Sequence, residues 1–296
     1  MSSLIQLAIP VFFVLIALEA FVAARREREI ADARDTASSL ALGVGSVLVG
    51  LAWGGVAFAA YTALYTHRVF VLSSTWSVFA LALVADDFAY YWFHRLHHEV
   101  RLFWAAHVTH HSSQRYNLST ALRQSWTPMT ALPFFAPLAW LGIDPALLIT
   151  VHSINLLYQF WIHTELIGRC PAWLEAVFNT PSHHRVHHGA NPRYLDRNYA
   201  GILILWDRLF GTFEAETEPV RFGLTKNVAT HHPVRLAFHE FAAIARDVWR
   251  ARSWSARLGH LLAPPGWRPD LGDGVRASAH ARSPGRAVAG GETQPA

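Results

Sequence analysis

Residues 4–24, LIQLAIPVFFVLIALEAFVAA, carry a single charge, Glu19. No other feature limits the fold as strongly. At about 1.5 Å per residue, a helix over this run crosses a hydrocarbon core about 30 Å thick. Its positive charges follow the apolar stretch rather than precede it, so a membrane helix is expected and not a cleaved signal peptide. Further apolar runs cover 38–66, 69–93, 126–143 and 145–163. The last two are parted by LGIDP, whose Gly142 and Pro145 suit a tight break. These two are short, and read either as full spans or as a re-entrant hairpin. A content of 52% hydrophobic and 16% charged residues fits four to five membrane helices better than a soluble domain.

Loop charge sets the orientation. RREREIADARD at 25–35 holds Arg25, Arg26, Arg28 and Arg34, so this loop is expected on the cytoplasmic side. Counting helices from there brings the C-terminal end of the third, at His94, back to that face. A fourth and fifth helix bring His163 and the region after residue 181 to it as well. The expected architecture is therefore all-α: an integral membrane helical bundle of four to five membrane helices with a histidine-rich cap on its cytoplasmic face.

Histidine is concentrated in three stretches. DDFAYYWFHRLHHEV (86–100) sets His94 and His98 four apart, on one helix face about 6 Å from each other. Asp87 and Tyr91 share that face. FWAAHVTHHSSQ and SHHRVHHG repeat the spacing HxxHH, with His107, His110 and His111 in one and His184, His187 and His188 in the other. A lone i, i+4 pair is ordinarily a packed or surface pair, and His67, His97, His231, His232, His239, His260 and His280 are read that way. Three clusters meeting at one membrane face are a different matter, because imidazole is costly there unless it is used. Neutral imidazole suits iron, zinc, copper and nickel, and a single cysteine, Cys170, leaves no thiolate site or disulfide. Eight ring ligands exceed what one ion holds, so two metals are the economical count. His163 in LLYQFWIHTEL is a ninth candidate. His152, eleven residues earlier on the same face, lies too deep to reach, and Gln159 is either near the site or a core amide.

All-imidazole ligation leaves the charge of two cations uncompensated, which favours oxygen-derived anions. Carboxylates within reach then serve tuning and proton delivery. Glu99 and Asp87 are the candidate catalytic pair, with Glu165 and Asp196 also adjacent; each has the alternative of an ion pair with Arg95, Arg185 or Arg197.

At these motifs the chain resembles a known group. HxxxH at 94–98 and HxxHH at 107–111 and 184–188 are similar to the fatty acid hydroxylase/sterol desaturase superfamily of membrane di-iron oxygenases. AAHVTHHSSQRYNLSTALRQS, YQFWIHTELIG and FNTPSHHRVHHGANPRYLDRNYAGILILWDRLFGTF resemble its alkylglycerol monooxygenase-like branch. The resemblance implies two iron ions held by His94, His98, His107, His110, His111, His163, His184, His187 and His188. It also implies activation of dioxygen against an aliphatic C–H bond of a lipid of fatty acyl, sterol or alkylglycerol ether type, and it ties Glu99 to activity. The implied reductant is external, tetrahydrobiopterin or an electron-transfer protein. On this reading, 1–79 are N-terminal membrane helices, 80–215 the catalytic domain, 216–270 an amphipathic interfacial region and 271–296 a disordered tail.

The rest of the chain is fitted to that role. DRNYAGILILWDRLFGTFEAE (196–216) reads as a segment closing over the site, with Asp196 and Asn198 able to orient histidines and Gly211 ending a short helix. Residues 234–250 have the pattern of an interfacial helix, and Trp249, Trp254 and Trp267 suit a headgroup belt. GVGSVLVG (43–50) lies inside an apolar run, so it is no dinucleotide cradle, and electrons must come from a separate donor. The net charge of +4 comes from scattered arginines, suited to anionic lipid or an acidic redox partner and not to nucleic acid. A desaturase on the same ligands and a non-catalytic membrane metal-binding protein are the alternatives. A zinc hydrolase would want HExxH, and HEVRLF lacks the second histidine.

Overall fold

A computed structural model describes residues 4–269, and among them there is no β-strand, only the isolated bridges Phe178–Leu203 and Gly189–Phe222. The tail expected at 271–296 lies outside the described residues. The helices are α1 (Leu4–Arg25), α2 (Ala33–Thr66), α3 (Trp76–Glu99), α4 (Arg101–Trp104), α5 (Val108–His111), α6 (Leu132–Leu141) and α7 (Pro145–Trp161). They continue as α8 (Ala172–Val177), α9 (Pro181–His187), α10 (Leu205–Phe210), α11 (Pro233–Arg250) and α12 (Trp254–Leu262), with 3-10 turns at Leu118–Leu122 and Pro128–Ala131.

Two helices, α1 and α2, are long and apolar enough to cross a membrane. Both turn large apolar side chains outward, Leu7, Val11, Val14 and Phe21 on α1 and Val44, Leu48 and Leu51 on α2. α2 begins at 33, earlier than the apolar run suggests, because the Asp32 carboxylate caps it by accepting from the Asp35 amide at 2.9 Å. α3 begins later than expected: Thr75 caps it through the Val78 amide. The preceding Val69 pairs its amide with the Trp140 carbonyl at 2.9 Å.

The helices α3, α6 and α7 share one core, with Ala82, Ala89 and Tyr90 against Phe135, Leu138, Ala139, Leu148 and Val151. The break between α6 and α7 depends on Gly142, at φ +120°, where a Cβ would stand 2.3 Å from the Phe70 carbonyl oxygen. Asp144 then caps α7. α1 leans on α7 through stacked Phe12 and Phe160 rings, 4.1 Å apart. Its buried Glu19 accepts from the Leu118 amide at 2.7 Å and the Thr164 hydroxyl at 2.5 Å, tying this helix to the loops beyond α5 and α7. Polar side chains at such depth are costly unless paired, and this one has two donors.

The remaining short helices gather at the C-terminal end of α3. α11 anchors there by packing Leu236 and Ala237 on Leu42. Buried Arg101 adds ion pairs to Glu240 at 2.8 Å and Asp247 at 2.7 Å. Its outer face leaves Val234, Phe238 and Trp249 exposed, and Trp254 of α12 is exposed too. Trp267 instead covers Gly259 and His260.

Candidate metal centre

The nine histidines sort into two groups whose ring nitrogens lie within 4.8 Å of one another. His94, His98, His107, His111 and His187 form one; His110, His163, His184 and His188 form the other. Local geometry explains the split. Consecutive residues on a helix point about 100° apart, so neighbours His110 and His111 on α5 serve different groups, as do His187 and His188 at the end of α9. His94 and His98, one turn apart at the end of α3, serve the same one. α9 starts cleanly because Pro181 occupies its first turn, where its missing N–H costs nothing.

Ring tautomers follow from the outer hydrogen bonds. His94 donates Nδ1–H to the Tyr199 carbonyl at 2.8 Å and His187 to Arg197 at 2.9 Å. In the other group His163 donates to Gln159 at 2.7 Å and His110 to Arg123 at 3.2 Å. A carbonyl only accepts, so in these neutral rings Nε2 carries a lone pair. Yet the Nε2 atoms of His110 and His163 face each other at 3.2 Å, and those of His163 and His184 at 3.0 Å. In the larger group the Nε2 pairs His94–His107, His107–His111 and His111–His187 stand at 3.0, 3.0 and 3.1 Å. The Nε2 atoms of His98 and His188 are buried with no hydrogen-bond partner at all. Two lone pairs facing each other at His110–His163, and imidazole nitrogens packed this closely in both groups, suit a cation between them, and nine imidazoles with no thiolate suit iron or another imidazole-loving metal. Cys170 belongs to neither group. Burial favours the neutral form in both groups: it holds His107, His111, His184, His187 and His188 well below 6.5, with neighbouring imidazoles adding to the effect. His110 is pushed down to about 4 by the same cause.

The supporting shell comes mainly from residues 196–207. Asp196 and Asn198 both adopt the left-handed conformation, φ 55° and 57°, which these two residue types tolerate. They bracket Arg197, and the carbonyls of Arg197 and Tyr199 then reach His187 and His94. Asn198 fixes the turn by accepting from the Glu214 amide at 2.9 Å and donating to the carbonyls of His183 and Glu214. Asp207 holds the next stretch, accepting from the amides of Tyr199 and Ala200 at 2.8 Å and from the Thr212 hydroxyl at 2.6 Å. Burial pushes its carboxyl up to about 6, against the pull of those donors. In the other group, the Arg123 backbone that meets His110 is fixed by a buried ion pair to Asp35 of α2 at 2.7 Å.

The two candidate carboxylates stand outside both histidine groups. Asp87 accepts from the amides of Ile202 and Leu203 at 2.7 and 3.0 Å, from Trp206 Nε1 at 2.9 Å and from Asn155 at 3.1 Å. It therefore tethers the loop that carries Tyr199. Glu99 is partly exposed and pairs with Arg95 at 2.9 Å. Asp196 lies 3.7 Å from His98 Nδ1. Gln159 donates to Asn155 at 2.8 Å while its carbonyl serves His163. His152 meets Asp86 at 3.1 Å, away from the groups. His97 binds the Phe93 carbonyl and the Thr130 hydroxyl. His183 faces Glu175 at 3.8 Å. Burial, with the Arg208 and Arg169 charges, outweighs that carboxylate and brings its ring to about 4.

Sequence reasoning did not find Tyr199, Arg197, Asp207 or the Asp35–Arg123 pair. The first two act through backbone carbonyls, which carry no residue signature. The only hint was a pair of Asx residues flanking Arg197.

Residues 79–212 match the Fatty acid hydroxylase family. The chain is 45% identical to alkylglycerol monooxygenase of Homo sapiens over 239 residues, covering 79% of this chain and 53% of that protein. It is 43% identical to alkylglycerol monooxygenase of Xenopus tropicalis over 262 residues, 87% of this chain and 58% of that one. A more distant relative is ornithine lipid hydroxylase OlsE of Rhizobium tropici, 30% identical over 161 residues, 53% of this chain and 48% of that protein. The chain spans a little over half the length of the alkylglycerol monooxygenases of Homo sapiens and Xenopus tropicalis. No solved structure matches it.

Proposed function

We propose that this chain, whose residues 79–212 match the Fatty acid hydroxylase family, is a membrane-bound di-iron monooxygenase that uses dioxygen to hydroxylate an aliphatic C–H of a lipid. The observation that carries this reading is the His110–His163 contact, two Nε2 lone pairs at 3.2 Å in rings whose Nδ1 hydrogens are already committed to carbonyls. Such a pair repels unless a cation lies between. Iron held by the two groups would supply the activation of dioxygen and the oxidation of the C–H bond. The chain's own part is to fix the tautomer of His94, His110, His163 and His187 through backbone carbonyls, and to exclude bulk water by burying the two groups.

The lipid substrate is proposed from the names of the relatives, four of which are alkylglycerol monooxygenases at 39–45% identity. An ether-linked glycerol lipid is thus the first substrate to try. Electrons come from outside, through a small reductant such as tetrahydrobiopterin or through a protein donor. Beside α1 and α2, the helices α3, α6 and α7 complete four to five membrane segments on this reading. The basic loop 25–32 supports a cytoplasmic site: Arg28 donates to the Glu165 carbonyl at 3.2 Å, and Arg115 to the Glu29 carbonyl at 2.9 Å. Loop and histidine groups therefore share one end of the bundle, and positive charge favours the inner face. Glu99 is proposed as the proton-handling carboxylate at the rim, and Asp87 as a positioning residue.

The test is metal analysis of the detergent-purified protein with lipid mass spectrometry. Two irons per chain are expected, H110A and H187A each losing at least one, and lipids from cells with the active chain gaining one oxygen. A single zinc with turnover indifferent to both substitutions rejects the proposal, and loss of two hydrogens without oxygen gain would instead make it a desaturase.

A further inference from the structure

His183 belongs to neither metal group. It lines a cavity of about 420 Å³ on α9, together with Arg169, Arg208, Phe213, Glu175 and Glu216. The two carboxylates are already engaged. Glu216 grips Arg185 with both oxygens, at 2.8 and 2.7 Å. Glu175 accepts from the Cys170 amide at 2.9 Å and from the hydroxyls of Ser182 and Thr180 at 2.7 and 3.2 Å.

The arginines are in the opposite condition. Among the described residues, neither Arg169 nor Arg208 has a carboxylate within ion-pair distance. Both are nevertheless held in place. Arg169 donates to the Glu216 carbonyl, and Arg208 to the Glu175 carbonyl at 3.1 Å, with its guanidinium 3.9 Å over the Phe213 ring. A guanidinium has five N–H donors, so each keeps most of its fork for something else. Arg185, behind the lining, offsets Glu216, so Arg169 and Arg208 face one remaining glutamate, Glu175, and the cavity is positive. Anchored, unpaired guanidinium forks sharing one cavity match the several oxygens of a phosphate group, which two forks can grip at once. The volume exceeds that of phosphate alone, leaving room for an organic part beside Ala172 and Phe213.

We propose that this cavity is a binding site for a phosphate ester, gripped by Arg169 and Arg208. None of the nine clustered histidines lines the cavity, so it docks its ligand apart from them. The same chemistry could come from a lipid headgroup or from a soluble phosphate ester. Their separation is experimental.

The full-length protein in phosphate-free maltoside detergent is titrated with glycerol phosphate in one arm and short-chain phosphatidate in the other. Binding is read as a saturable rise in melting temperature. At least one ligand is expected to bind: phosphatidate alone marks a lipid source, glycerol phosphate alone a soluble one, and both show that the phosphate head suffices. R169Q and R208Q should each weaken binding about tenfold, the loss of one charge-assisted contact. R193Q, which breaks only an exposed pair with Glu214, should not. In the wild-type protein, bound ligand should also protect Arg169 and Arg208 from phenylglyoxal, a readout that does not depend on variants folding. No saturable binding in either arm, equal weakening in R193Q, or no protection overturns the proposal.

Discussion

His94 donates its Nδ1 hydrogen to the carbonyl of Tyr199 at 2.8 Å, and that carbonyl is aimed by a carboxylate eight residues further on, since Asp207 accepts from the Ala200 amide of the same peptide group at 2.8 Å. Asp207 is wholly buried and takes three donors. D207N presents an NH₂ to one of them, leaving a donor facing a donor. The expected cost is about 1–3 kcal/mol of stability, with iron loss greater from the five-histidine group than from the other. Denaturation and iron content check it; a variant with unchanged melting and full iron would show that the carbonyl holds its place unaided.

Asp87 separates a structural from a chemical role. Its four donors include two loop amides and the Trp206 indole. D87A strands them in a buried site and should cost at least about 3 kcal/mol, with iron occupancy falling alongside. D87N should cost less and leave turnover per bound iron near normal. If D87N instead keeps its iron and its melting temperature but loses turnover, Asp87 takes part in the chemistry.

Much of this arrangement was legible in the chain, and the boundary of legibility is physical. Side-chain chemistry can be read from spacing, so HxxxH and HxxHH mark histidines of both groups. Their partition could not be read: whether His110 and His111 join one group or two depends on the direction of a single short turn. Support through carbonyls was invisible too, because Tyr199 and Arg197 act by backbone. The apolar runs located five helices, yet their starts shifted where a cap such as Asp32 or Thr75 outweighed hydropathy. The ion pair of Asp35 with Arg123, 88 positions apart, has no local signature.

Glu99 has the weakest structural tie of the candidate residues. Its partner is Arg95, one turn back, and both are partly exposed, a geometry that contributes about 0.3–0.5 kcal/mol. E99Q should therefore keep full iron and an almost unchanged melting temperature while turnover falls at least about a hundredfold, the lower end of what a positioned proton-transfer group contributes. Loss of iron in E99Q would show that the residue supports the metal groups instead, and unchanged turnover would remove it from the reaction.

Acidification tests the neutral imidazoles directly. Burial, the leading cause, pushes His110 down to about 4 in the folded protein against 6.5 for an ordinary histidine, and five other rings of the two groups are shifted the same way. The folded values lie below the unfolded ones, so the unfolded chain takes up protons first as the pH falls. The stability these rings contribute is complete above about 6.5 and drains away toward about 4, by up to about 1.4 kcal/mol per pH unit for each ring involved. Bound metal competes with those protons, so the iron-loaded protein should melt above the chelator-stripped protein throughout, with the gap closing as the pH drops. Melting curves of both forms from pH 7.5 to 5 measure this. A flat profile would mean the rings are not buried and neutral, and coincident curves would mean that no metal sits among them.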